Sequence, residues 1–215
     1  MPISTIILPR AILFDMDGTL TQPMLDFPRI KADMGIGNRP ILEALAEMSP
    51  ADRAKAESIL LRHEDQAAAH STLNPGCTQL LAHLHERRIP TALITRNSRR
   101  SVQIVLDRNN LGFDILMTRE DGPFKPNPYP LKLACRTLQI PESAAWMVGD
   151  GQYDIEAALA AGIASIWISH GRPRPFEATP WLQLPDLLEL LELLRAAEAA
   201  SWPDSNSLAP GPNDA

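Results

Sequence analysis

Cysteine is scarce: Cys77 and Cys135 are the only two in 215 residues. They stand far apart, with no CxxC spacing and no histidine partners, so they build neither a disulfide framework nor a zinc site. A reducing compartment fits this usage. Uninterrupted apolar runs of ~18 residues are also missing, which leaves no candidate transmembrane helix. The first ten residues, Met1 to Arg10, show no basic leader and no small-residue cleavage site. The expectation is a soluble cytoplasmic protein. Basic charge is in deficit: 20 Lys and Arg against 26 Asp and Glu give a net charge of −6. A phosphate backbone or anionic membrane would be repelled at long range, so neither is an expected partner. No internal repeat is found.

What is present is ordinary globular material. Hydrophobic residues make up 45% and charged residues 21%, which excludes disorder of the whole chain. The length suits one domain with an insertion and suffices for a core without metal or disulfide staples. Proline is the excess, 20 residues against the usual ~5%. It clusters at 123–130, 173–185 and 203–212, which reads as rigid loops and a tail.

Four short apolar runs end at polar residues: Ala11 to Phe14, Thr91 to Ile94, Ala145 to Val148 and Ile163 to Ile168. A weaker fifth is Asp114 to Met117. Strands buried on both faces read this way. Helical patterns lie between them. Gly76 to Arg87 is one. Another is capped by Ser98, runs to Asn110 and stops at Gly112. A third is capped by Asn127 and runs through Leu138, and a fourth covers Gln152 to Ala161 before Gly162. Leu182 to Ala200 reads as a last helix whose leucine-rich face is core or a dimer surface. The alternation predicts an α/β fold, a doubly wound Rossmann-like parallel sheet. Residues 21–72 break the pattern, with no strand and two helices, Pro40 to Met48 and one capped by Ser49 that runs to about Ala69. The expected organisation is a catalytic core of residues 1–20 and 73–200, a small α-helical cap over 21–72, and a disordered tail over 201–215.

Four segments carry chemistry. Ala11 to Leu20 ends a strand in Asp15 and Asp17, followed by Gly18-Thr19. In open α/β sheets ligands bind beyond the carboxyl ends of strands, and two acids there repel unless a cation or a shared proton intervenes. Thr95 ends the second strand, where a hydroxyl and free backbone N–H groups can hold an anion. Lys125 sits in Phe124-Lys125-Pro126, a stiff loop that presents a fixed positive charge. Val148 to Asp154 ends the fourth run with Asp150 and Asp154, among glycines that let backbone approach a ligand. Alone, each has an ordinary reading: a solvated turn, a helix cap or an exposed lysine.

In this order the four segments resemble the haloacid dehalogenase superfamily of phosphohydrolases, from about Arg10 to Leu194. Within it the chain is similar to the phosphoglycolate-phosphatase-like group, whose helical cap follows the first motif. The resemblance implies that Asp15 is the nucleophile that becomes an aspartyl-phosphate and that Asp17 is the general acid and base. It implies that Thr95 and Lys125 bind phosphate, and that Asp15, Asp17 (through its main-chain carbonyl), Asp150 and Asp154 form or support a Mg²⁺ site. An oxygen-only donor set suits that ion. Aspartate at position 17 goes in this family with phosphate esters rather than carbon–halogen bonds.

Weaker candidates are Arg96 and Asn97, which can shape the phosphate pocket, and Arg39, which can reach a second anionic group of a substrate. His63 and His70 share a predicted helix face but lack further metal ligands. The expected partner is a small phosphorylated molecule, phosphoglycolate-like or a sugar phosphate, with the protein a monomer or homodimer. Two alternatives stay open: a phosphosugar mutase with the same motifs, and a catalytically idle interaction module on this fold.

Overall fold

The computed structural model describes residues 6–201. Among them six strands form one sheet, all parallel, in the order β3-β2-β1-β4-β5-β6. The strands are β1 (Ala11–Phe14), β2 (Thr91–Ile94), β3 (Ile115–Met117), β4 (Ala145–Gly149), β5 (Ala164–Ile168) and β6 (Leu182–Leu184). This order reverses direction between β1 and β4, which opens a crevice at their carboxyl ends.

Successive side chains of a strand point to opposite faces, and the sheet divides its core accordingly. Ile12, Phe14, Trp146 and Val148 pack on one side with α4 (Cys77–Glu86), α5 (Arg99–Asn109) and α8 (Leu187–Ser201), through Leu80, Leu84, Val102, Leu187 and Leu190. Leu13, Ala145 and Met147 face the other side, against α6 (Tyr129–Thr137) and α7 (Gln152–Ala161), through Leu131, Ala134, Ala157 and Ala158. Each fully buried Leu or Val in these layers contributes about 1.5–3 kcal/mol.

Between β1 and α4 the chain leaves the sheet for three helices: α1 (Phe27–Met34), α2 (Ile41–Ala46) and α3 (Pro50–Ala69). They share an apolar cluster of their own, built on Ile30, Ile41, Leu42, Leu45, Ala56 and Leu60. The start of α3 follows from its sequence: Ser49 Oγ accepts from Asp52 N, and Pro50 occupies the first turn. Contact with the rest of the protein is largely polar. α3 lies against α5, Asp65 pairs with Arg100 at 3.0 Å and accepts from Ser101 Oγ at 2.9 Å, and Glu64 pairs with Arg119.

Three sequence expectations need correction. The last helix begins at Leu187, not Leu182, because residues 182–184 instead extend the sheet as β6. Pro185 has no N–H for a helix interior, and Asp186 accepts from Glu189 N at 3.0 Å to start α8 afterwards. The leucine face of α8 is core: Leu187, Leu190, Leu191 and Leu194 are all buried. The helix α1, unmarked in the sequence reading, is started by Asp26, which accepts from Arg29 N at 3.0 Å, and ended by left-handed Gly35. The helix expected from an Asn127 cap begins at Tyr129, where Asn127 Oδ1 accepts the Tyr129 N–H at 2.9 Å. Smaller shifts occur at α5, which closes on left-handed Asn110 before Gly112 is reached. The expected disordered tail lies outside the described residues, apart from Ser201 at the end of α8. Both cysteines are buried free thiols.

Candidate active site

The site stands at the carboxyl ends of β1, β2 and β4. Asp15 follows β1 directly, and its N–H donates to Val148 O at 2.9 Å, which ties the first motif to the last. The chain then turns sharply. Gly18 adopts φ +85°, a left-handed conformation, and a Cβ there would lie 2.4 Å from Asp150 Oδ2. Glycine is therefore required both for the turn and for the close approach of the acid. The turn is held from outside: Asn74 Nδ2 donates to the carbonyls of Gly18, Thr19 and Thr21 at 3.1, 2.8 and 3.0 Å. His170 Nε2 lies 2.6 Å from Gly18 O.

Lys125 is almost fully buried, and its Nζ donates to Asp15 Oδ1 and Asp154 Oδ1, both at 2.6 Å. Asp154 also accepts from Gly151 N at 3.0 Å with its second oxygen. Asp150 is anchored through its main chain, with Trp167 Nε1 donating to its carbonyl at 3.0 Å. Thr95 Oγ1 accepts from Asn97 N at 3.1 Å, and Asn97 Nδ2 donates to Asp17 Oδ2 at 3.0 Å.

Burial dominates the electrostatics. It raises the Asp15 carboxyl well above its ordinary range; Lys125 pulls it back, while Asp154 and Asp150 push it further up. Burial also raises Asp17, partly offset by the Asn97 hydrogen bond and the Lys125 charge. Asp150 rises to about 6, through burial and then the charge of Asp154. For Lys125 burial works against the charge, but Asp15 and Asp154 outweigh it and the pKa rises.

Carboxylate oxygens of Asp15, Asp150 and Asp154 lie within 4.8 Å of one another. Three carboxylates face the Lys125 ammonium and, 3.5 Å from Asp150, the more exposed Arg172 guanidinium, which leaves one negative charge in excess in a confined space. Hard oxygen donors at this spacing fit a divalent cation. The Asp17 carboxylate stands outside that cluster, engaged by Asn97.

These residues line one cavity of about 450 Å³, bounded on the core side by Asp15, Asp17, Thr95, Asn97, Lys125 and Asp150. Two weaker candidates lie elsewhere or are already engaged. Arg96 lines the cavity, but its Nη2 donates to both carboxylate oxygens of Glu43 at 2.9 Å and its Nη1 donates to the Lys125 carbonyl. The same group is stacked between Phe124 and Tyr153 at 4.8 and 4.2 Å. Arg39 is not among the lining residues and pairs with Glu47 at 3.1 Å. His63 is paired with Asp33 at 2.9 Å.

The sequence reading missed Asn74, Glu43, Glu64 and Tyr153. Asn74 has no local signature, because the carbonyls it binds are more than 50 residues away. Glu43 sits in a short helix as an ordinary exposed-looking acid. No described helix is long and apolar enough to cross a membrane.

Comparison with known proteins agrees with this geometry. The chain is 35% identical over 167 residues to a haloacid dehalogenase-like hydrolase domain-containing protein of Arabidopsis thaliana, covering 71% of this chain and 68% of that one. It is 30% identical over 240 residues to a phosphoglycolate phosphatase of Pseudomonas fluorescens, covering 94% and 88%. The crystal structure of a hydrolase from Pseudomonas syringae superposes with a TM-score of 0.74 at 19% identity, covering 86% and 97%, and shares the fold. Residues 25–162 match the family model for haloacid dehalogenase-like hydrolases, and the chain belongs to that hydrolase family.

Proposed function

We propose that this hydrolase is a Mg²⁺-dependent phosphatase that acts on a small phosphorylated metabolite through an aspartyl-phosphate on Asp15. The observation that supports the reading most is the convergence of Asp15, Asp17, Thr95, Lys125 and Asp150 on one cavity from four separate segments. The similarity to a phosphoglycolate phosphatase supports the same class of reaction.

In this reading Asp15 attacks phosphorus, a P–O bond to Asp15 forms and the ester P–O bond breaks. Asp17, whose carboxyl is held protonated more readily than usual by burial, gives its proton to the departing oxygen. It then takes a proton from water, which attacks the phosphoryl group and frees Asp15 and inorganic phosphate. A covalent carboxylate intermediate divides one difficult displacement into two easier ones, and a well-placed acid–base group contributes roughly 10²–10⁴-fold. Lys125 and the Thr95 hydroxyl neutralise and hold the phosphoryl oxygens. Asp15, Asp150 and Asp154 would hold Mg²⁺, which supplies positive charge against the repulsion between Asp15 and a phosphate dianion. Asn97 keeps Asp17 oriented through its 3.0 Å hydrogen bond. The helices α1 to α3 act as the cap that excludes water from the cavity.

The test is hydrolysis of p-nitrophenyl phosphate by the purified chain, with Mg²⁺ and in EDTA. Turnover is expected with Mg²⁺ only, and Asp15→Asn is expected to abolish it while the protein stays folded by circular dichroism. Turnover that persists in EDTA, or in Asp15→Asn, overturns the reading.

A further inference from the structure

The cavity has two unlike halves. Its core side carries the acids, Lys125 and Thr95. The side supplied by residues 23–60 is mostly apolar, built from Pro23, Leu25, Phe27, Ile41, Leu42 and Leu60, with Lys31 as its one charged member. We propose that the leaving group of the substrate is an uncharged alcohol with an apolar body, seated against this wall while its phosphate faces Asp15. The inference rests on the phosphatase reading above and narrows it.

Three observations carry it. First, a cavity of about 450 Å³ lies within the ~300–1,000 Å³ typical of ligand pockets, and a two-carbon acid beside the phosphate would leave much of the apolar wall uncovered. Second, the wall has little for an anion. Arg96, the arginine beside the phosphate motif, is consumed by Glu43, the Lys125 carbonyl and two aromatic rings. Glu64, which also lines the cavity, is neutralised by Arg119, and Lys31 is the one ammonium this side contributes, with its Nζ donating to the Asn38 carbonyl at 3.3 Å. Third, Phe27 lines the cavity and is 51% exposed. Large apolar side chains left open at a mouth gain from being covered by an apolar ligand.

The consequence is a chain-length dependence. Each methylene buried on the wall is worth ~0.8 kcal/mol, about fourfold in kcat/KM, until the cavity is filled. A carboxylate in the same place loses that gain and its hydration together.

The experiment compares methyl, butyl and hexyl phosphate with phosphoglycolate, glucose 6-phosphate and p-nitrophenyl phosphate, using the full chain with Mg²⁺. The expected result is a kcat/KM that rises about fourfold per methylene, with hexyl phosphate above both phosphoglycolate and glucose 6-phosphate. Phe27→Ser, at a half-exposed position and with folding checked by circular dichroism, is expected to lower kcat/KM for hexyl phosphate about fourfold, the value of one buried methylene, with much less effect on methyl phosphate. Hexylphosphonate binding, followed by calorimetry at several temperatures, is expected to show a negative heat-capacity change. A flat alkyl series, or phosphoglycolate ahead of hexyl phosphate, overturns this inference and leaves the phosphatase reading standing if p-nitrophenyl phosphate is hydrolysed. Failure of every monoester, p-nitrophenyl phosphate included, overturns both.

Discussion

Gly18 offers the sharpest test of how backbone geometry serves the acid cluster. Its φ is +85°, and its backbone cannot rotate cheaply. Its N–H donates to Thr21 O, and its carbonyl is held by Asn74 and lies 2.6 Å from His170 Nε2. Alanine would therefore have to accept the left-handed conformation, at roughly 1–2 kcal/mol. Its Cβ would also stand 2.4, 2.6 and 2.7 Å from Oδ2, Cγ and Oδ1 of Asp150, where ordinary contact begins at 3.4 Å, so the whole carboxylate must retreat. Such a retreat disperses a cluster whose oxygens lie within 4.8 Å. For Gly18→Ala we expect a melting temperature lower by about 2–8 °C, together with an affinity for Mn²⁺ or Mg²⁺ weakened at least ~10-fold. Gly37 supplies the control. It is also left-handed, at φ +61°, but nothing lies within 4 Å of its would-be Cβ. Gly37→Ala should cost only the left-handed strain, less than Gly18→Ala, and leave cation affinity unchanged. Thermal melts paired with calorimetric cation titrations separate the two effects. If Gly18→Ala binds the cation as tightly as the parent, the coupling between this turn and Asp150 is refuted.

Further expectations follow from the same geometry. Glu64 and Arg119 form a nearly buried pair. Glu64→Ala leaves the Arg119 guanidinium only its 3.8 Å contact with Glu120 and is expected to cost roughly 3 kcal/mol in urea denaturation, whereas Glu64→Gln keeps an acceptor and costs less. Burial raises Glu64 above its ordinary 4.5, so the folded protein binds the proton more tightly than the unfolded chain. Stability from this group is fully present below pH ~4.5 and declines as pH rises through the folded value; Glu64→Gln should flatten that decline. Asp150 at about 6 predicts that cation affinity, read by titration calorimetry, weakens as pH falls below about 6, because the proton competes with the metal. Glu43→Ala releases Arg96 from α2. Because Glu43 is 40% exposed, the global cost should stay below about 1 kcal/mol, while hydrogen exchange of the α2 amides accelerates.

Much of this protein is decided locally and is legible in its residues. The strands β1, β2 and β4 appear as apolar runs because a strand covered on both faces has no polar side to alternate with. The start of α3 is written in Ser49-Pro50, since a side-chain acceptor and a preset φ act within one turn. The chemistry-bearing residues at the ends of those strands are equally visible: Asp15, Thr95 and Asp150 each follow the last apolar residue of a run by one or two positions.

Other features belong to the tertiary structure alone. Whether residues 182–184 continue a helix or join the sheet depends on the free edge of β5 beside them, which no local pattern reports. Arg96 has the residue type and position of an anion ligand, yet Glu43, 53 residues away, takes its charge. Asn74 matters only because folding brings the carbonyls after β1 within reach of its amide. Residue type and spacing determine which groups can act. Which of them remain available is settled by long-range pairing, because a charge or a hydrogen-bond donor is consumed by whatever partner the fold delivers to it.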